Sequence, residues 1–324
     1  MCSWGIITAW LDWSWVFLIN VPIGIAVLAL TPKLIPRGSR KKEGKIDYLG
    51  AITITVSLAL LVYSIVTAND VGWLSAQTVA LLSASVISLA AFVAIEKRSK
   101  EPLVPLHIFK ATPSLLSSNI VMALLGAAWV SMWFFLNLYL QQILNYGPLE
   151  SGLALLPMTV LIMVMMVGAT PKLIGRLGIR LNMITGLALL AVGILLFSLT
   201  PANIGDNDSS NNGVFLAYVL PASIISALGM SFSYIPVLTS AVANAKKGDV
   251  GVASGLVNTT YQIGSALGLA IMVSISAMNT ESLINEGIKS LDALNNGFHL
   301  AFIGASFISA VAAVTSLKYI KTKT

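Results

Sequence analysis

Apolar residues along this chain gather into long runs separated by short polar segments, with none of the alternation of an exposed strand. Nine runs stand out, roughly 15–31, 47–68, 76–95, 113–142, 152–172, 181–200, 213–239, 250–278 and 298–317. A bilayer core of about 30 Å needs about 20 apolar residues at a helical rise of about 1.5 Å each. Each run is therefore predicted to be a membrane-spanning helix, and residues 3–9 read as the stub of one more. The 113–142 run is long enough to imply tilt or extension into the interface. Two connections are longer than the rest. Residues 201–213, P-A-N-I-G-D-N-D-S-S-N-N-G, are predicted to be a polar turn-rich loop, and residues 279–297 an amphipathic surface segment.

Composition fits this reading. Of the 324 residues, 56% are hydrophobic and 10% charged, whereas a soluble domain carries about 25% charged residues. Such a chain cannot clothe a soluble surface, so the predicted class is an all-α membrane protein. Cys2 is the single cysteine, which excludes an internal disulfide. The first apolar run has Asp12 before it and no basic segment, unlike a cleavable signal.

The net charge of +6 matters less than where the charges lie. Of the 19 lysines and arginines, all but Lys289 fall after the first, third, fifth, seventh and ninth runs. Short loops rich in Lys and Arg stay cytoplasmic. The first full span is thus expected to enter from outside, leaving the N-terminus outside and the C-terminus inside. This placement accounts for the basic balance without a nucleic-acid partner. Trp10, Trp13 and Trp15 read as an outer-interface belt.

No Asp, Glu, Lys or Arg lies within the interior of any run; Asp47 and Lys172 mark the very ends of theirs. Buried charge at mid-bilayer is kept mainly for function, so a proton relay or deep ion-pair switch is not expected within this chain. Two neutral polar sets remain. Trp129, Trp133, Asn137 and Gln141 recur every fourth residue and wind slowly around one face of the 113–142 helix. Ser254, Asn258, Tyr261 and Ser265 form a stripe on the 250–278 helix, with Gln262 beside it. A polar stripe in a membrane must face protein or water, so it serves either helix packing or an aqueous cavity. Gly251 with Gly255 and Gly264 with Gly268 are small-xxx-small pairs expected to pack helices closely. Pro157, Pro171, Pro221 and Pro236 are expected to bend or break their helices. Lys172, Arg176 and Arg180 sit at a cytoplasmic helix end, where topology and headgroup contact account for them.

Catalytic and metal chemistry finds no foothold. His107 and His299 are far apart at membrane boundaries, and no phosphate-binding glycine loop or paired-histidine metal motif occurs. Asp206, Asp208 and Ser210 alternate like the start of a calcium loop, but the glycine and glutamate such a loop needs are missing. No enzyme activity, metal or cofactor is expected.

Five stretches, in order, carry a resemblance to a known family. These are W-V-F-L-I-N-V-P-I-G at 15–24, P-L-V-P-L-H-I-F at 102–109 and L-Y-L-Q-Q-I-L-N-Y-G-P-L-E-S-G-L-A-L-L-P at 138–157. The last two are K-L-I-G-R-L-G-I-R at 172–180 and G-V-A-S-G-L-V-N-T-T-Y-Q-I-G-S-A-L-G-L-A at 251–270. Together the chain resembles the fourteen-helix drug:proton antiporters of the major facilitator superfamily. The stretches are similar to that family's sixth helix, the lead-in to its ninth, its ninth-to-tenth junction, the basic loop after its tenth and its thirteenth helix. Two positions depart from the pattern: Gly175 stands where an acidic residue is usual, and Tyr261 where an arginine is common.

The resemblance implies a partial major facilitator fold whose nine spans are family helices 6–14, with the first five helices missing. Residues 1–46 would close the N-terminal half, with a helix 5 stub, helix 6 and a basic loop. Residues 47–110 would hold an inserted helix pair and linker, and 111–324 a complete C-terminal six-helix half. It implies that Trp129, Trp133, Asn137, Gln141, Asn258, Tyr261 and Gln262 line a substrate cavity, and that Lys172, Arg176 and Arg180 belong to a cytoplasmic gate loop. The implied activity is proton-coupled efflux of lipophilic compounds, neutral or cationic, by alternating access from the cell membrane. The partners are the bilayer, a lipophilic substrate and a missing N-terminal half or second copy, without which this chain is not competent. The other reading is a non-transporting membrane protein: a scaffold, a regulator or the remnant of a split gene.

Overall fold

A computed structural model describes residues 18, 20–34, 47–99, 102, 113–202, 212–243 and 250–319. The stub at 3–9, Trp10, Asp12, Trp13, Trp15, His107, most of the 201–213 loop and the basic segments 35–46 and 244–249 lie outside the described residues.

The described residues form helices and connecting turns. In chain order these are α1 (Asn20–Leu34), α2 (Tyr48–Val71), α3 (Ala76–Arg98), α4 (Pro113–Leu138), α5 (Pro148–Ala154), α6 (Leu156–Val164), α7 (Thr170–Phe197), α8 (Leu220–Val242), α9 (Val250–Asn285) and α10 (Ser290–Tyr319). Seven helical stretches among them are long and apolar enough to cross a membrane. One of them extends from Pro148 to Phe197, 50 residues, which as a single straight rod would be about 75 Å long. It is broken at Gly178, whose φ of 77° and ψ of 163° are not helical. The break separates the predicted 152–172 and 181–200 runs.

Prolines account for most of the other irregularities. Pro157, Pro171 and Pro221 each lie at the start of an α-helix, where the missing N–H is tolerated. Wider π-helical turns precede two of them, Met165–Ala169 and Phe215–Val219. Of the four prolines expected to bend or break their helices, Pro236 alone lies well inside an α-helix, α8.

The predicted surface segment 279–297 is a helical hairpin instead. Helix α9 continues to Asn285 and α10 begins at Ser290. Gly287 ends α9 with φ of 86°. The N–H of Ile288 reaches Leu283 O (3.0 Å) and that of Gly287 reaches Ile284 O (3.0 Å), a glycine-stopped helix end. The polar residues from 279 to 285 lie on the last turns of α9 and do not end it.

Helix α4 is the centre of the bundle, packing on α9, α10 and α8, while α7 packs on α8 and α10. Small residues set these approaches. A β-carbon on Gly186 would come within 2.5 Å of the Phe232 carbonyl carbon, and one on Gly229 within 2.6 Å of Leu190 Cα. Serine hydroxyls add main-chain links between helices: Ser306 donates to Ala191 O (2.8 Å), Ser309 to Leu187 O (3.0 Å) and Ser114 to Ser240 O (2.9 Å). Helices α2 and α3 form a hairpin that meets the bundle through α2 and α9. Inside the hairpin, Ser57 and Ser85 each donate to the other's carbonyl at 2.9 Å. A bilayer gives helices little hydrophobic reason to associate, so close backbone approach and such hydrogen bonds take over.

Candidate functional site

Helix α4 carries the first predicted set. Trp129 is buried, 9% exposed, as part of the bundle core. Its ring meets that of Trp133 edge-on with centroids 5.9 Å apart. Trp133 and Asn137 are half-buried and Gln141 is exposed. The Gln141 amide donates to Asn137 Oδ1 at 3.2 Å, so the two amides partly satisfy one another. Gln141 lies in a π-helical turn, Tyr139–Ile143, that ends the helix. The expectation that all four line an open cavity is corrected at Trp129, where burial leaves the ring to packing.

Helix α9 carries the second set. Asn258 and Gln262 are exposed, Ser254 and Tyr261 are half-buried, and Ser265 is buried. The Ser265 hydroxyl turns back to Tyr261 O at 2.8 Å, and both atoms lie against Gly126 of α4. Thr260 donates to Asn119 Oδ1 at 2.7 Å, and Asn119 donates on to Leu115 O at 2.8 Å. The stripe is thus divided: its Ser265 end is helix packing, and its Asn258–Gln262 edge is open.

Tyr234 of α8 joins this edge. Its ring stands at 89° to that of Tyr261, with centroids 5.7 Å apart. Sequence reasoning missed Tyr234. The signal was available in S-F-S-Y-I-P at 231–236, an aromatic among serines two residues before a helix-interior proline.

The packing also fixes the depth of the two sets. Gly264 lies against Ala123 and Gly268 against Ala127, so α4 and α9 run parallel with an offset of 141. Gln262 is then level with residue 121 of α4, twelve residues before Trp133, an axial separation of about 18 Å. The tryptophan–amide set and the Asn258–Gln262 edge are therefore two separate groups, one in each half of the bundle.

The glycine pairs divide in the same way. Gly264 and Gly268 are in close helix contact, whereas a β-carbon on Gly251 or Gly255 would meet no described atom within 4 Å. Tight packing at Gly251 and Gly255 is thus corrected for the described residues. At the basic turn, Lys172 and Arg176 are exposed, while Arg180 donates to the main-chain carbonyl of Leu317 near the end of α10.

The opposite end of the bundle holds a polar cluster that the sequence did not disclose. His299 Nε2 lies 2.7 Å from Thr200 O, and Asn295 donates to the same carbonyl at 3.1 Å. Tyr139 donates to Pro201 O at 2.9 Å. Together they tie α7 to α4 and α10. Nearby, Glu150 accepts from the Gly147 N–H at 2.9 Å and so caps α5. Burial first, and then the Glu150 carboxylate, push the Tyr146 phenol above its ordinary value. Among the described residues no group of three or more His, Cys, Asp or Glu side chains could hold a metal ion.

The arrangement is one of neutral aromatic and amide groups on long apolar helices, suited to holding an apolar molecule by shape and a few hydrogen bonds. Residues 2–269 match the family model described as Major Facilitator Superfamily. The chain belongs to the Major Facilitator Superfamily. It is similar to the cephamycin export protein CmcT of Amycolatopsis lactamdurans, 31% identical over 316 residues, which cover 96% of this chain and 61% of that protein. The puromycin resistance protein pur8 of Streptomyces alboniger is 29% identical, with 97% of this chain and 61% of that protein covered. The tetracenomycin C resistance and export protein of Streptomyces glaucescens is 31% identical, over 83% of this chain and 48% of that protein. The chain thus spans about three-fifths of the length of the first two relatives. Membership of the superfamily, with the apolar helices described above, makes it a multi-pass protein of the cell membrane.

Proposed function

We propose that this chain forms the C-terminal portion of a drug exporter of the fourteen-helix antiporter branch, and that it works with a complementary N-terminal half supplied from outside these 324 residues. The observation that carries the proposal is the match, over nearly the whole chain, to proteins named for antibiotic export and resistance. In this reading α1 is family helix 6, α2 and α3 are the inserted pair, and α4 to α10 make the C-terminal six-helix half. The basic turns face the cytoplasm. Substrate would bind between the two halves and be exposed alternately to either side.

The open edge of α9 supports this assignment. Asn258 and Gln262 are exposed on an apolar helix, an arrangement that costs free energy against lipid and none against a water-filled cavity. Trp133, Asn137 and Gln141 would line the outer half of that cavity, and Asn258, Tyr261 and Gln262 its inner half. Lipophilic compounds, neutral or cationic, suit such walls. With no acid on these faces, the coupling proton would be handled by the other half.

The test is reconstitution. Vesicles holding this chain alone, and vesicles holding it together with a polypeptide carrying the family's first five helices, are given a proton gradient and a lipophilic dye. Export is expected only from the second. Export from the chain alone would overturn its dependence on a partner half. No export from either would favour a non-transporting protein.

A further inference from the structure

Asn182 of α7 is fully buried, and neither the nitrogen nor the oxygen of its amide has a hydrogen-bond partner among the described residues. Its surroundings follow from the register of α7 on α8. Gly186 lies against Phe232 and Ser233, Leu190 against Gly229, and Gly193 against Ser226. The two helices therefore run antiparallel, and Asn182, one turn before Gly186, stands opposite Pro236 and Val237. Helical side chains lean toward the N-terminus of their own helix. On antiparallel helices this brings the Asn182 amide toward the level of Ser240, and the Ser240 hydroxyl toward that of Asn182.

Other polar groups at this level are also unpaired. Ser240 shares a face of α8 with Ser226, Gly229 and Ser233, and its hydroxyl is buried without a partner. Ser114 of α4 donates to Ser240 O at 2.9 Å, which sets Ser118, one turn along α4, level with Pro236. The Ser118 hydroxyl is likewise buried and unpaired. Pro236 has no N–H to give the carbonyl of Phe232, four residues before it. That carbonyl faces α7, since a β-carbon on Gly186 would come within 2.8 Å of its oxygen. Burying these groups together is unfavourable unless something pairs them.

We propose that this layer is an internal water site, in which one or a few water molecules bridge Asn182 to Ser240 and to the Phe232 carbonyl. The amide and the hydroxyls can donate, and the amide oxygen, the hydroxyls and the carbonyl can accept. Water does both, whereas a bare ion would leave half of these groups unpaired. None of them is charged, and Arg180, two residues before Asn182, is committed to Leu317 O. A buried water typically makes about three hydrogen bonds, which these groups can supply. The bridge joins α7 to α8 where Pro236 interrupts the hydrogen bonding of α8. It lets α8 change its bend there by exchanging water for protein partners. The site goes beyond the transport proposal and does not rest on it, because it concerns hydration of the bundle and not export.

The test uses the 324-residue chain purified in a neutral sugar detergent. X-ray pulses in oxygen-18 water generate hydroxyl radicals from bound as well as bulk water, and mass spectrometry reads the oxidised methionines. Met183, fully buried beside Asn182, should be labelled several-fold more than Met158, equally buried near the start of α6. Asn182→Leu should remove that excess and lower the unfolding midpoint by about 2–4 °C. A dry, unpaired amide gives the opposite sign, because replacing it with an apolar side chain of similar size relieves its burial. Ser240→Ala should lower both the midpoint and the labelling, and should add no further loss to Asn182→Leu, since both variants empty one shared site. Labelling of Met183 no greater than that of Met158, or a midpoint in Asn182→Leu at or above the wild type's, overturns the proposal. Fully additive losses in the double variant overturn it as well. If Asn182→Leu does not fold, Met183 labelling in the wild type and in Ser240→Ala decides: equal labelling in the two overturns the site.

Discussion

Gly264 of α9 lies so close to Ala123 of α4 that a β-carbon on the glycine would come within 2.6 Å of the Ala123 carbonyl carbon. The atoms in the way are main chain, so no rotamer change can make room. Gly264→Val should force the two helices apart and cost about 1–3 kcal/mol, read as a lower thermal unfolding midpoint in detergent. Gly255→Ala is the matched control. It faces open space, and its helix propensity should leave the midpoint unchanged or slightly raised.

The same pair shows where sequence reading stops. Both small-xxx-small pairs obey one spacing rule, and the sequence gives no reason to prefer Gly264 over Gly251. The choice depends on which neighbour arrives, and that is set by packing. Spans behave differently. A run such as 113–142 is legible because the bilayer demands its length and hydrophobicity whatever it packs against. The break at Gly178 sits between two predicted runs for the same reason. Depth is the quantity that spacing cannot carry: Gln262 and Trp133 look alike as polar or aromatic positions on two long helices, and the α4–α9 offset alone separates them. Tyr234 is marked in the sequence only by its serine neighbours and the proline after it, and what makes it part of the site, its ring contact with Tyr261, arises through folding.

The two tryptophans of α4 should respond differently to truncation. Trp129 is 9% exposed and packed in the core, so Trp129→Ala should leave a cavity costing about 3 kcal/mol or more. Trp133 is half-buried. Trp133→Ala should cost less stability and, in the assembled transporter, weaken dye binding about tenfold if its ring covers the substrate. Unfolding midpoints and dye titrations on both variants separate the roles. Equal stability losses with unchanged dye affinity would remove Trp133 from the cavity.

Ser57 and Ser85 exchange two hydrogen bonds between α2 and α3. Each hydroxyl is a donor in an apolar hairpin, and each accepting carbonyl already serves its own helix. A double-mutant cycle with Ser57→Ala and Ser85→Ala should therefore give a modest coupling, about 0.6 kcal/mol, the average for hydrogen bonds between membrane helices. Coupling well above 1 kcal/mol would mean that the hairpin relies on this pair more than on the fit of its helices.

Arg180 is the one residue of the predicted gate loop that the fold engages. Its guanidinium donates to the carbonyl of Leu317, an orphan acceptor in the last turn of α10, where a cation also complements the helix dipole. The contact joins the turn after Gly178 to the end of α10, so movement of either should be felt by the other. Arg180→Ala should release the end of α10, seen as faster amide hydrogen exchange over residues 314–319, at a cost of about 1 kcal/mol in stability. Arg180→Lys should restore part of the protection, because one donor and the charge remain. Lys172→Ala and Arg176→Ala remove exposed side chains and should leave exchange at α10 unchanged. Faster exchange in all three variants would make the effect one of net charge, and the specific link between this turn and α10 would fall.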